Sequence, residues 1–313
     1  AAVYGCHGAS RALLVMAVLA LLVTLVGSLW LLTGEHDDLT ASVMIAVASA
    51  PVLYGALSFS VWPLGVLVPV GVAAVMGAVL LLVGGLPAHA RIIMAAVAGL
   101  ALLQASVDGA RGGLLAVVLL AIALSFCAVG YQVRDRVSLV LGQVFGALGG
   151  AVYLAYVPPA LLTDSSTAVR QAGPLLVVAS VLMAVTVGLV LAAMHRVGWV
   201  SPPSAPTYGV LAGASMLYSG TAAIVLSGTA LLGNNDGFLL GHGLATVSWM
   251  VVSVTLLLAG LRRYRDQSWF TRAGFVLAAM AVAKLFLFDL ATLDGIARIG
   301  AFIVTGLLLL GGG

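Results

Sequence analysis

Apolar runs of about twenty residues constrain this chain more than any other feature. Leu13 to Trp30 and Leu175 to Met194 contain no charged side chain. Each is long enough to cross a hydrocarbon slab of about 30 Å at about 1.5 Å of helix rise per residue. No water satisfies backbone groups inside such a slab, so only helices and closed barrels span it. A barrel strand alternates apolar and polar positions over about ten residues, whereas these runs are continuous. The chain therefore reads as all-α, a polytopic integral membrane helical bundle with about eleven transmembrane helices. Spans are expected near 11-33, 40-60, 64-84, 90-107, 113-131, 137-160, 173-195, 208-232, 241-261, 273-290 and 297-311.

Composition excludes a water-soluble alternative. Of 313 residues, 63% are hydrophobic and 7% charged, against about 25% charged in a soluble domain. The 13 basic and 10 acidic residues give a net charge of +3. Nearly all lie between apolar runs, which describes anchoring at the membrane faces and not a nucleic-acid footprint. Membrane lipids are the expected partners, a protein partner in the membrane is compatible with the pattern, and nucleic acid is not. Cys6 and Cys127 are too far apart for a disulfide framework or a metal-ligand spacing, and no cofactor or metal is expected. The chain starts at Ala1 and its last apolar run stops at Leu310 before three glycines. Residues 1-313 thus read as a single transmembrane domain that is part of a longer multi-helix protein, and Ala1 to Ser10 does not read as a cleavable signal.

The connections are too short to hold a soluble domain, so any chemistry sits in the membrane or at its faces. Alternate connections place Arg91, Arg134, Arg136, Arg196, Arg262, Arg263, Arg265 and Arg272 on one side, and Arg11, Arg111, Arg170 and Arg298 on the other. Eight against four favours a cytoplasmic Arg262 to Arg272 loop and an external first residue.

Lipid provides no hydrophobic drive between helices, so close backbone approach at small residues must supply packing. Gly142, Gly146 and Gly150 recur on one face, and Gly209 with Gly213 forms a second such pair. Both sets are expected to pack on neighbouring helices of the same chain. Pro69 is expected to bend its helix.

Polar residues inside spans are few: Gln104, Gln143, Tyr218, His242 and Lys284. The glutamines are expected to bond between helices, and His242 to touch water near a membrane face. Glu35, His36, Asp37 and Asp38 suit a divalent cation in ligand type, but adjacent side chains rarely converge on one ion, so they read as a solvated loop. Asn234 to Gly237 lacks the bidentate Glu of a calcium loop and reads as a turn. No H-E-x-x-H, G-x-S-x-G, P-loop or C-x-x-C occurs in the sequence, which counts against motif-bearing hydrolases and nucleotide-driven pumps.

The densest constellation is C-terminal. Arg262, Arg263, Arg265, Asp266 and Arg272 precede Lys284, Phe286, Leu287, Asp289, Leu290, Leu293, Gly295, Arg298 and Phe302. This run resembles the C-terminal signature of the uncharacterised bacterial membrane family called domain of unknown function 2339. Leu285 stands where that pattern has Val, and Ala301 where it has Ser. The resemblance implies many helices and no established activity. Lys284, Asp289, Asp294 and Arg298 are expected to form one charge-balanced cluster at the membrane face opposite the Arg262 to Arg272 loop. The favoured function is a structural or accessory component of the bacterial envelope, a multi-pass inner-membrane protein without a catalytic residue set. The alternatives are a transporter or lipid flippase using Lys284 and nearby carboxylates, or an intramembrane enzyme acting on a lipid-linked substrate.

Overall fold

The computed structural model of the chain describes residues 2–33, 39–57, 64–201, 204–262 and 268–286, with 299, 303–304, 306–307 and 310, and the surroundings of side chains from residue 12 onward except 262 and 268. Among the described residues, eleven α-helices follow in order: α1 (Ala2–Leu32), α2 (Leu39–Leu57), α3 (Leu64–Leu82), α4 (Ala88–Gly109), α5 (Gly113–Val133), α6 (Arg136–Tyr156), α7 (Ser165–Gln171), α8 (Pro174–Val197), α9 (Ala205–Leu232), α10 (Asn235–Arg262) and α11 (Ser268–Lys284). Among the described residues, nine helices are long and apolar enough to cross a membrane, and α11 has 17 residues. The loop Glu35 to Asp38, most of the link into α11 and the expected last span lie outside the described residues.

The chain divides into two compact units, Ala1–Phe145 and Gly146–Gly313. In the first, α4 packs on α2 and α3, and α1 packs on α2. Half of the α4 span is buried, against 22% of α1, which makes α4 the central helix. Its sequence explains the position: Ala90, Ala98 and Ala101 are buried and small, so neighbouring backbones can come close. Ile45, Met76 and Met94 fill the space between. The Gln104 side-chain amide donates to Leu53 O at 3.0 Å, which ties α4 to α2. Although Pro69 lies inside α3, that helix runs on through it.

A two-residue link, Arg134 and Asp135, joins α5 to α6. Asp135 caps α6, accepting from the Ser138 N–H at 2.8 Å and the Ser138 hydroxyl at 2.6 Å, and so satisfies a donor that the helix start leaves open. The hairpin closes tightly because Gly130 has no side chain: a Cβ there would lie 3.1 Å from Leu139 N.

In the second unit α8 packs on α9, α9 on α10 and α10 on α11. Gly233, at φ 66°, ends α9 in left-handed geometry and returns its N–H to Thr229 O at 2.8 Å, a stop that glycine makes without steric cost. Asn234 then caps α10 by accepting the Gly237 N–H at 3.0 Å. This corrects the reading of Asn234 to Gly237 as a turn: the segment is a helix cap and first turn, so α10 starts well before the expected 241. The stretch expected as a loop around Asp164 to Arg170 also has structure, a 3-10 turn over Pro159–Leu162 followed by α7.

Candidate functional site

Lys284 ends α11, and residues 285–286 beyond it widen into π-helical geometry, an irregularity frequent at functional positions. Its ammonium donates to His242 O at 3.0 Å and to Thr246 Oγ1 at 2.6 Å. The Thr246 hydroxyl donates to the same His242 carbonyl at 3.1 Å. One turn of α10 therefore presents a carbonyl and a hydroxyl side by side to the cation on α11. An ionisable residue bonded to a spanning helix is where function is sought first. Of the expected cluster, Lys284 is placed here, while Asp289, Asp294 and Arg298 lie outside the described residues.

His242 is 3% exposed and packs its ring on Phe238 at 4.6 Å, which corrects the expectation of an interfacial, water-touching histidine. The reason is the segment the sequence reading took as a loop. α7 packs on both α9 and α10, and Leu161, Leu162 and Ala168 are buried. Tyr218 donates to Val157 O at the entrance of that segment, and Tyr153 donates to Ser180 Oγ at 3.1 Å.

Asp164 caps α7, accepting from the Ser166 N–H at 3.0 Å and from the hydroxyls of Ser166 and Thr167 at 2.8 and 2.5 Å. These bonds, that of Thr167 first, hold its carboxyl down at about 2 against an ordinary 3.8. A lowered carboxylate stabilises the fold above the ordinary value and ceases to do so as pH falls through the folded one. Amide exchange at Ser166 to Ala168 should thus quicken as pH drops from 3.8 toward 2, beyond the intrinsic pH dependence of exchange, and Asp164→Ala should show the fast behaviour already at neutral pH.

The glycines singled out from the sequence make contacts of different kinds. In the first unit, a Cβ on Gly142 would run into Cys127 Sγ and lie 3.0 Å from Cys127 N, so α5 and α6 touch backbone to backbone. In the second, Gly150 faces the Met183 methyl at 3.3 Å, a softer contact, and Gly146 is partly exposed. At Gly209 and Gly213 a Cβ would meet nothing within 4 Å, so this pair is no packing seam among the described residues.

The tightest backbone-to-backbone contact among the described residues lies at glycines outside these sets. A Cβ on Gly241 would lie 2.7 Å from Val225 Cα, one on Gly228 would lie 2.5 Å from Gly237 O, and one on Gly237 would lie 3.0 Å from Gly228 C. The signal, Gly237-x-x-x-Gly241, was present, but Gly237 had been assigned to a turn. Along α10 the polar contacts continue, with Trp249 Nε1 donating to Thr221 Oγ1 on α9 at 2.9 Å and Ser253 Oγ donating to Gly274 O on α11 at 2.8 Å. At Gly260 a Cβ would run into Thr271.

Among the described residues, no group of three or more His, Cys, Asp or Glu side chains converges as a metal site would require. A shallow, open depression lined by Pro206, Thr207, Val210 and Leu211 lies at the start of α9 and holds no titratable group.

A family model described as "Predicted membrane protein (DUF2339)" matches residues 2–313. It extends well beyond the forty or so C-terminal residues in which the resemblance is legible. Neither a curated protein nor a solved structure matches the chain.

Proposed function

Because the chain belongs to DUF2339, a family of predicted membrane proteins, we propose that it is a structural or accessory component of the bacterial cell envelope, held in the inner membrane by its many helices. The observation that supports this reading is the α9–α10–α11 interior. Backbone meets backbone at Gly228, Gly237 and Gly241, and the Lys284 ammonium is engaged by α10 itself. Polar groups used this way join helices.

The competing reading is a transporter whose pathway uses Lys284, favoured by a cation held against a spanning helix. The two separate in a strain lacking the gene and complemented by variants along the seam. For a structural component, the envelope defect should track the amount of folded protein, whichever residue is changed. A Lys284 or Thr246 variant that accumulates to the parental level yet fails to complement would overturn the proposal in favour of transport.

A further inference from the structure

Residues 157–173, between α6 and α8, join the second unit without a continuous helix ladder. Pro158 and Gly173, near the two ends, have extended backbone, and the elements that follow them open on Pro159 and Pro174. Proline has no N–H to return to a preceding carbonyl, so neither α6 into the segment nor the segment into α8 is bonded through. The 3-10 turn and α7 bond locally, with Leu161 N–H on Pro158 O at 2.9 Å, Ala168 N–H on Asp164 O at 3.0 Å and Ala172 N–H on Ala168 O at 2.7 Å. A helix as short as α7 is not stable alone in water. The segment therefore keeps its structure by lying against α9 and α10.

A short set of contacts holds it there. Leu161, Leu162 and Ala168 are buried, and the Tyr218 hydroxyl on α9 donates to Val157 O at the point where the segment leaves α6. Beneath it lies the Lys284 site. The Leu162 backbone interacts with the His242 imidazole, and the carbonyl of that same His242 is met by the Lys284 ammonium at 3.0 Å. On the other side Asp164, Ser166, Arg170 and Gln171 are exposed. The segment is thus apolar toward the bundle and polar outward, and it covers the turn of α10 that bonds Lys284. An element held by few buried apolar contacts opens at lower free energy than the packed helices around it, and α9 and α10 meet backbone to backbone.

We propose that residues 157–173 are a latched strap, a unit that opens separately from the bundle, is held shut by Tyr218, and controls access from this end of α10 to His242 and Lys284. Closed, it leaves the interior sealed. Open, it admits water to the His242 ring and to the bonds of Lys284. This goes beyond the structural reading and does not depend on it, since a strap guards a helix-joining contact and a pathway alike.

The test uses the full chain in lipid nanodiscs, with peptide-resolved hydrogen exchange and carbethoxylation of His242 by diethyl pyrocarbonate as readouts. In the parent, the amides of residues 161–172 should exchange faster than those in the middle of α9 and α10, and His242 should be labelled far more slowly than the exposed His195. Tyr218→Phe removes the latch and keeps the ring, so strap exchange and His242 labelling should each rise about fivefold, the factor for one lost hydrogen bond, with α1 to α4 unchanged. Leu162→Ala, which takes buried surface from the strap itself, should act in the same direction. Tyr153→Phe is the control: it loses the same hydroxyl, but that hydroxyl bonds Ser180 Oγ on α8, so His242 labelling should stay at the parental rate. A strap as protected as α10 in the parent, parental labelling of His242 in Tyr218→Phe or Leu162→Ala, an equal rise in Tyr153→Phe, or faster exchange across α1 to α4 alongside the strap would each overturn the proposal.

Discussion

Gly241→Leu should be the most damaging single substitution in the second unit. Even the first added carbon would lie 2.7 Å from Val225 Cα and 3.1 Å from Val225 O. Backbone atoms cannot rotate aside as a side-chain end can, so α9 and α10 must separate along the seam. Overpacking in a compliant core costs about 1–3 kcal/mol; here roughly 3 kcal/mol or more is expected, because lipid does not restore the lost contacts. The variant should aggregate on extraction or melt well below the parent in detergent. Gly241→Ala should show the same effect in reduced form. Gly213→Leu, where a Cβ meets nothing within 4 Å, should melt close to the parent. Equal melting of the Gly241 and Gly213 variants would mean that the seam does not hold the helices together.

Lys284→Glu should be the second large effect, and its comparison with Lys284→Met identifies what the amine does. The ammonium meets the oxygens of His242 and Thr246. A carboxylate at that position has no proton for the His242 carbonyl, and because the site is half-buried a loss of about 3 kcal/mol is expected, the lower end of the range for a charge facing the wrong partners. Met keeps most of the volume and loses two charge-assisted hydrogen bonds, a loss offset in part because no desolvated charge remains, so the cost should be smaller than for Glu. Thr246→Val removes one of them and should cost less again. The order Glu, Met, Val should appear in melting temperature and in the amount of protein in the membrane. Were Lys284→Glu as stable as the parent, the Lys284 contacts would contribute nothing to holding α11 against α10.

The membrane class and most spans were legible because they rest on run length, which needs no tertiary information. Element starts were less so. The α10 cap illustrates why: Asn234 and Gly237 are common both in turns and at helix starts, and only the bond from Gly237 N–H to Asn234 Oδ1 decides between them. That one assignment concealed the glycine seam, since Gly237 had to be helical before its spacing from Gly241 meant anything. Gly209 and Gly213 have the same spacing and no described partner, so spacing alone does not identify a contact. His242 was misplaced for a related reason. Its distance from the chain turn was readable, but the folding of residues 157–173 over α10 was not. Lys284 stands out in the sequence as a cation in an apolar run, while its acceptors on α10 are 42 and 38 residues away and carry no motif.

The central claim is that the α9–α10–α11 interior is closed by backbone contact and that Lys284 is bound within it. A density map of the protein from native membrane extract, held in lipid, tests this most directly. The expected map has α9 and α10 touching at Gly228, Gly237 and Gly241, with the Lys284 ammonium on His242 O and Thr246 Oγ1. A water-filled path or a lateral opening that carries solvent or lipid to Lys284 would contradict the account and make the protein a conduit or an intramembrane enzyme.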